Sequence, residues 1–63
     1  MESIRVAICD DEENIVDIML SAVRTAFAKR GVSVEIETFT SAEPLWRSMK
    51  LRIFDLLFLD IEM

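Results

Sequence analysis

The chain has 63 residues and a formal net charge of −5, with no histidine and a single cysteine, Cys9. A chain this short has room for one small domain, burying about 60% of the surface that its unfolded form exposes. Its acidity argues against a nucleic-acid surface, its lack of histidine excludes His-based zinc sites and Ser-His or Cys-His catalysis, and a lone thiol excludes an internal disulfide and fits a reducing cytoplasmic setting.

In chain order, Ile4, Val6 and Ile8 with Ala7 and Cys9 form a short apolar run broken only by Arg5. Both faces are apolar, which predicts a strand buried on two sides, as in parallel sheets. Four acids follow at once, Asp10 to Glu13. A helix is expected next, with Ile15, Ile18, Met19, Ala22, Val23, Ala26 and Phe27 recurring at three- and four-residue spacing. Its acids gather at the start and Arg24, Lys29 and Arg30 toward the end, matching the helix macrodipole. Gly31, able to take a left-handed conformation, should stop it.

From Val32 to Phe39 the residues Val34, Ile36 and Thr38 alternate with Glu35, Glu37 and Phe39, predicting a strand with one wetter face at a sheet edge. Ser41 reads as the N-cap of a second helix over 42–50, with Pro44 harmless in its first turn. Leu45, Trp46 and Met49 form the apolar side of that helix, and Arg47, Lys50 and Arg52 a solvated face. The stretch from Phe54 to Ile61 is the most hydrophobic in the chain and reads as a second central strand. Its run Leu56-Leu57-Phe58-Leu59 is too short to cross a bilayer. No basic-then-apolar leader precedes the first strand, so a cytoplasmic protein without membrane contact is expected.

The order is β-α-β-α-β, which argues for a parallel sheet with right-handed crossovers. In open α/β sheets, ligands bind at the carboxyl ends of strands, near the point where strand order reverses. Asp10 and Asp11 would stand at the carboxyl end of the first strand and Asp60 at that of the third. Carboxylates gathered there repel one another, and the strain must be relieved by protonation or by a bound cation. Magnesium is the natural cation, because it takes oxygen ligands, uses one or two carboxylates and leaves positions for phosphate oxygens. An aspartate beside it can form an aspartyl phosphate.

Three segments carry a family resemblance. Ala7-Ile8-Cys9-Asp10-Asp11-Glu12-Glu13 resembles the first strand and acidic pair of response-regulator receiver domains. Thr38-Phe39-Thr40-Ser41-Ala42-Glu43 is similar to their second strand entering the second helix, and Asp55-Leu56-Leu57-Phe58-Leu59-Asp60-Ile61-Glu62-Met63 to their phosphoacceptor strand. The wording is closest to receivers of the LytTR type. The resemblance implies the β-α-β-α-β half of a flavodoxin-like doubly wound sheet, strand order 2-1-3. It makes Asp60 the phosphoacceptor and a magnesium ligand and Asp11 a direct magnesium ligand, with Asp10 acting through a water and the backbone carbonyl of Glu62 as a further ligand. It also implies a sensor histidine kinase as partner and a DNA-binding domain downstream. The family's Ser or Thr after strand four and its Lys after strand five have no counterpart here, so these residues read as the first half of a receiver.

The chain is 52% hydrophobic without counting glycine. That exceeds the roughly 45–50% of ordinary domains with glycine included, although a small chain has more surface to keep wet. Some apolar surface is therefore expected to be covered from outside. An alternative follows: an assembly fragment, chemically silent, that self-associates through its exposed third strand so that a second copy completes the sheet. A third reading, an enzyme, rests on Asp60-Ile61-Glu62, which faintly resembles the D-x-D loop of haloacid-dehalogenase-type phosphatases. In that family the nucleophile follows the first strand, where this chain has a different acidic pair.

Overall fold

The computed structural model describes residues 3–60, except for the side chain of residue 60. Strand β1 (Ile4–Asp10) runs through the middle, and Val6, Ala7, Ile8 and Cys9 have no solvent exposure. Helix α1 (Glu13–Lys29), strand β2 (Val34–Phe39), helix α2 (Ala42–Leu51) and strand β3 (Leu56–Asp60) follow. The sheet order is β2-β1-β3, and both pairings are parallel. This is the expected α/β arrangement, one half of a flavodoxin-like sheet. Among the described residues no helix is long and apolar enough to cross a membrane.

The two helices take opposite faces because successive side chains of β1 point in opposite directions. Val6 and Ile8 pack with Val16 of α1, and Met19, Leu20, Val23, Phe27, Val34 and Ile36 close around them. Ala7 and Cys9 pack with Leu45 of α2, alongside Phe39 and Phe54. β1 is thus buried on both sides, as its two-sided apolar pattern predicts, and β2 takes the edge.

Several details depart from the sequence reading. The buried stripe of α1 is Val16, Met19, Leu20, Val23 and Phe27, whereas Ile18 is 63% exposed and Ala22 and Ala26 are solvated. Two apolar stripes at helical spacing run along this helix, and the one with the larger side chains wins because burial scales with apolar area. β2 begins at Val34, not Val32, because Val32 belongs to the helix stop and the Ser33 carbonyl accepts the N–H of Ile4. β3 begins at Leu56, not Phe54, which packs under α2; Ile61 lies outside the described residues. Trp46 is 62% exposed and does not join the core.

Gly31 ends α1 as anticipated, with φ +69°. The N–H of Gly31 donates to the Ala28 carbonyl at 3.1 Å, and that of Val32 to the Phe27 carbonyl at 3.0 Å. This double closure is the Schellman arrangement, which needs a left-handed residue at that point. The wetter face of β2 is partly occupied: Glu37 accepts from Ser48 Oγ at 2.9 Å and from Arg52, and Glu35 pairs with Arg5 at 3.1 Å.

Ile8→Ala is expected to cost about 2–5 kcal/mol, whereas Ile18→Ala should change stability by no more than about 0.5 kcal/mol. Urea midpoints followed by circular dichroism separate the two; equal losses would put Ile18 in the core. Nothing lies within 4 Å of a Cβ built on Gly31. Gly31→Ala should therefore cost about 1 kcal/mol through its backbone conformation alone, with Gly31→Asn intermediate in the same assay.

Candidate functional site

All three strands point their carboxyl ends toward one edge. From β1 the chain passes first to β2 on one side and then to β3 on the other, so strand order reverses at β1. Such a reversal opens a crevice at the carboxyl ends of the central strands. Asp10 closes β1, Asp60 closes β3, and the two are register partners. Neighbouring strands lie about 4.8 Å apart, so these two backbone positions sit side by side.

Asp10 is only 3% exposed and is the buried charged residue among the described ones. A carboxylate at that depth needs hydrogen-bond donors. One is the Glu12 N–H, which donates to Asp10 Oδ1 at 2.9 Å. Glu12 is the N-cap of α1, with an extended backbone (φ −104°, ψ 119°) and no capping bond from its own side chain. Asp10 therefore ties down the start of α1 from two residues upstream, and the positive end of the helix favours its charge. The simple structural role of this acid is real, and it also fixes the carboxylate at the crevice.

Asp11 follows in a bend and is exposed. The backbone of Asp60 reaches the crevice through β3. The proposed carbonyl ligand Glu62 lies outside the described residues. Among those described, no group of three or more His, Cys, Asp or Glu side chains is gathered in metal-binding geometry. The carboxylates that follow β1, Asp10 and Asp11, are hard oxygens, of the kind that suits magnesium over zinc or copper.

Lys29 and Lys50 fall in the last turns of α1 and α2. A helix that returns between parallel strands ends at their amino edge, so both ammonium groups are at the wrong end of the sheet for this crevice. Ser41 sits at the N-cap position of α2, but its side chain makes no capping bond. Its carbonyl instead accepts the Cys9 thiol at 3.4 Å. This contact fastens the β2–α2 turn beside Asp10, and nothing in the spacing of residues 32 apart announces it. Burial pushes the Cys9 thiol up from its ordinary value, and the charge of neighbouring Asp10 pushes it the same way.

No family model, curated protein or solved structure matches the chain. Register and burial, not kinship, define the site.

Cys9 should resist alkylation in the folded chain at pH values where free thiols react, and its titration should fall back toward the ordinary value in Asp10→Asn. The folded thiol holds its proton more tightly than the unfolded one. Its contribution to stability is thus fully present below the ordinary thiol pKa and is lost as pH rises through the elevated value. Alkylation rates against pH, native and in urea, test this; equal native and denatured rates would show that β1 is open.

Proposed function

We propose that the chain is the acidic half of a receiver module of two-component signalling. In this reading Asp60 accepts a phosphoryl group, Asp11 holds magnesium directly, Asp10 holds it through a water, and the Glu62 carbonyl completes the protein ligands. The observation that carries it is the pairing of Asp10 with Asp60 at the carboxyl ends of adjacent strands, where strand order reverses, with Asp10 buried at 3% exposure.

The chemistry is self-modification, not turnover. An Asp60 carboxylate oxygen attacks the phosphorus of a phosphohistidine on a sensor kinase. A P–O bond forms, the P–N bond breaks, and the departing imidazole takes up a proton. Bound magnesium would offset charge on the phosphoryl oxygens. Asp10 is held in place at the crevice by the Glu12 N–H, which also fixes the start of α1.

A lysine or hydroxyl near the phosphoryl oxygens would add donors that hold the product. Lys29 and Lys50 are held at the far edge, so the aspartyl phosphate on these residues should be scarce and short-lived. Such a module would signal through the rest of a longer regulator, with a LytTR-type DNA-binding domain as its output.

The test is incubation with a small acyl phosphate and magnesium, read by intact mass. A substoichiometric phosphoryl adduct is expected that decays on removal of the donor, weakens in Asp11→Asn and vanishes in Asp60→Asn. An adduct that persists in Asp60→Asn, or a stoichiometric and long-lived one, would contradict the proposal.

A further inference from the structure

A strand that alternates apolar and polar residues has its register set by burial, since a slip of one residue turns its apolar side chains to water. β3 has no such alternation: Leu56, Leu57, Phe58 and Leu59 are apolar in succession. A one-residue slip exchanges one large apolar side chain for another on each face, so burial discriminates poorly between registers. The approach to the strand does not fix it either. β3 lies parallel to β1 and arrives by a crossover, where no tight hairpin turn dictates the pairing. Phe54 packs against the cluster of Ala7, Cys9 and Leu45, but Asp55 follows it in a bend, and a bend can absorb one residue without moving Phe54.

The far end of the strand works against the observed register. It sets Asp10 and Asp60 at partner positions, where like charges repel. A slip in either direction would put Leu59 or Ile61 beside Asp10 and relieve that repulsion. What holds the strand must be a contact that exists in one register alone, and Asp55 makes one. Its N–H donates to the Arg5 carbonyl at 2.8 Å, and its Oδ2 accepts the Arg5 N–H at 2.9 Å. Both backbone polar groups of Arg5 are thus taken by one residue, and a carboxylate is the stronger kind of acceptor. A slip of one residue moves β3 by about 3.3 Å and breaks both bonds. It would bring Phe54 or Leu56 to Arg5, and neither has a side-chain acceptor. Arg5 is itself tied to β2 through its guanidinium, which bonds Glu35 at 3.1 Å.

We infer that Asp55 sets the register of β3 and is thereby the positioning residue for Asp60. It stands at the amino end of β3, away from the crevice, and acts through the strand by fixing which residue lies beside Asp10. A misplacement of about 1 Å can cost on the order of 10²-fold in rate, and a one-residue slip is about three times that. Asp60 in a slipped strand is therefore lost to the chemistry. The register follows from the hydrogen bonds alone, and only the consequence for Asp60 rests on the phosphoacceptor reading.

Register can be read by a disulfide to Cys9, whose partner on β3 is Leu59; strands about 4.8 Å apart lie within disulfide reach. With diamide as oxidant, Leu59→Cys should close an intrachain disulfide to Cys9, seen by intact mass. Phe58→Cys, on the opposite face of the strand, should not. Adding Asp55→Ala should lower the Leu59→Cys yield several-fold with circular dichroism retained, and Asp55→Asn, which keeps an oxygen acceptor, should restore it. Equal yields from Leu59→Cys and Phe58→Cys in the otherwise native chain overturn the inference. So does a yield untouched by Asp55→Ala, or a loss that Asp55→Asn does not restore. If Asp55→Ala fails to fold, the same comparison is made with Asp55→Ser, whose hydroxyl falls one bond short of the carboxylate oxygen. The phosphoryl adduct at Asp60 should follow the cross-link through these variants, and an adduct that stays level while the cross-link falls overturns the positioning role. A cross-link that behaves as expected, with no adduct in any variant, sinks the phosphoacceptor reading and leaves Asp55 as the residue that sets the register.

Discussion

A strand with no solvent on either face must satisfy every polar group in its backbone through its neighbours and every side chain through packing. Val6 to Cys9 are such a stretch, and the remaining elements are arranged to meet those demands. β2 and β3 take the backbone groups, alternately by residue. α1 covers Val6 and Ile8, and α2 covers Ala7 and Cys9. Because burial contributes about 25 cal/mol per Å², and β1 is the place where both core clusters meet, damage to one face of β1 is transmitted to both layers.

The same strand sets the chemistry at its end. Asp10 sits where the fully buried run stops, so a charge is held at the boundary between core and crevice, stabilised by the Glu12 N–H and the start of α1. Burial holds the proton on Cys9 one residue inward, and the Asp10 charge adds to it, so that thiol is a quiet core atom. Structural and functional roles of Asp10 do not compete: a carboxylate that anchors a helix start is also a carboxylate with a fixed position.

Much of this was legible in residue order. The two-sided apolar pattern of β1, the alternation of β2, the glycine stop at Gly31 and the acids after β1 and β3 each follow from local rules, and the strand order 2-1-3 follows from the family resemblance. What was not legible depends on distance in space. Two stripes of α1 satisfy helical periodicity, and only docking chooses Val16 and Leu20 over Ile18 and Ala22. Trp46 looks like core by hydropathy, yet α2 lies over β1 and β2 and leaves it beside the bare flank of β3. The Cys9–Ser41 bond and the Arg5–Asp55 pair join residues 32 and 50 apart, beyond the reach of any local pattern. The candidate site was legible as a set of acids, and the pairing of Asp10 with Asp60 needed the sheet.

The position of β1 also has a consequence in time. It is made before both of its partner strands, and its bond to Asp55 must wait for 50 further residues. The β1-α1-β2 unit can form from nearer contacts, whereas docking of β3 must close a loop of 50 residues, and non-local closure is slow. During synthesis the central strand therefore spends a period with one edge unpaired. The element that its neighbours depend on is made before them and is the last to have all its partners.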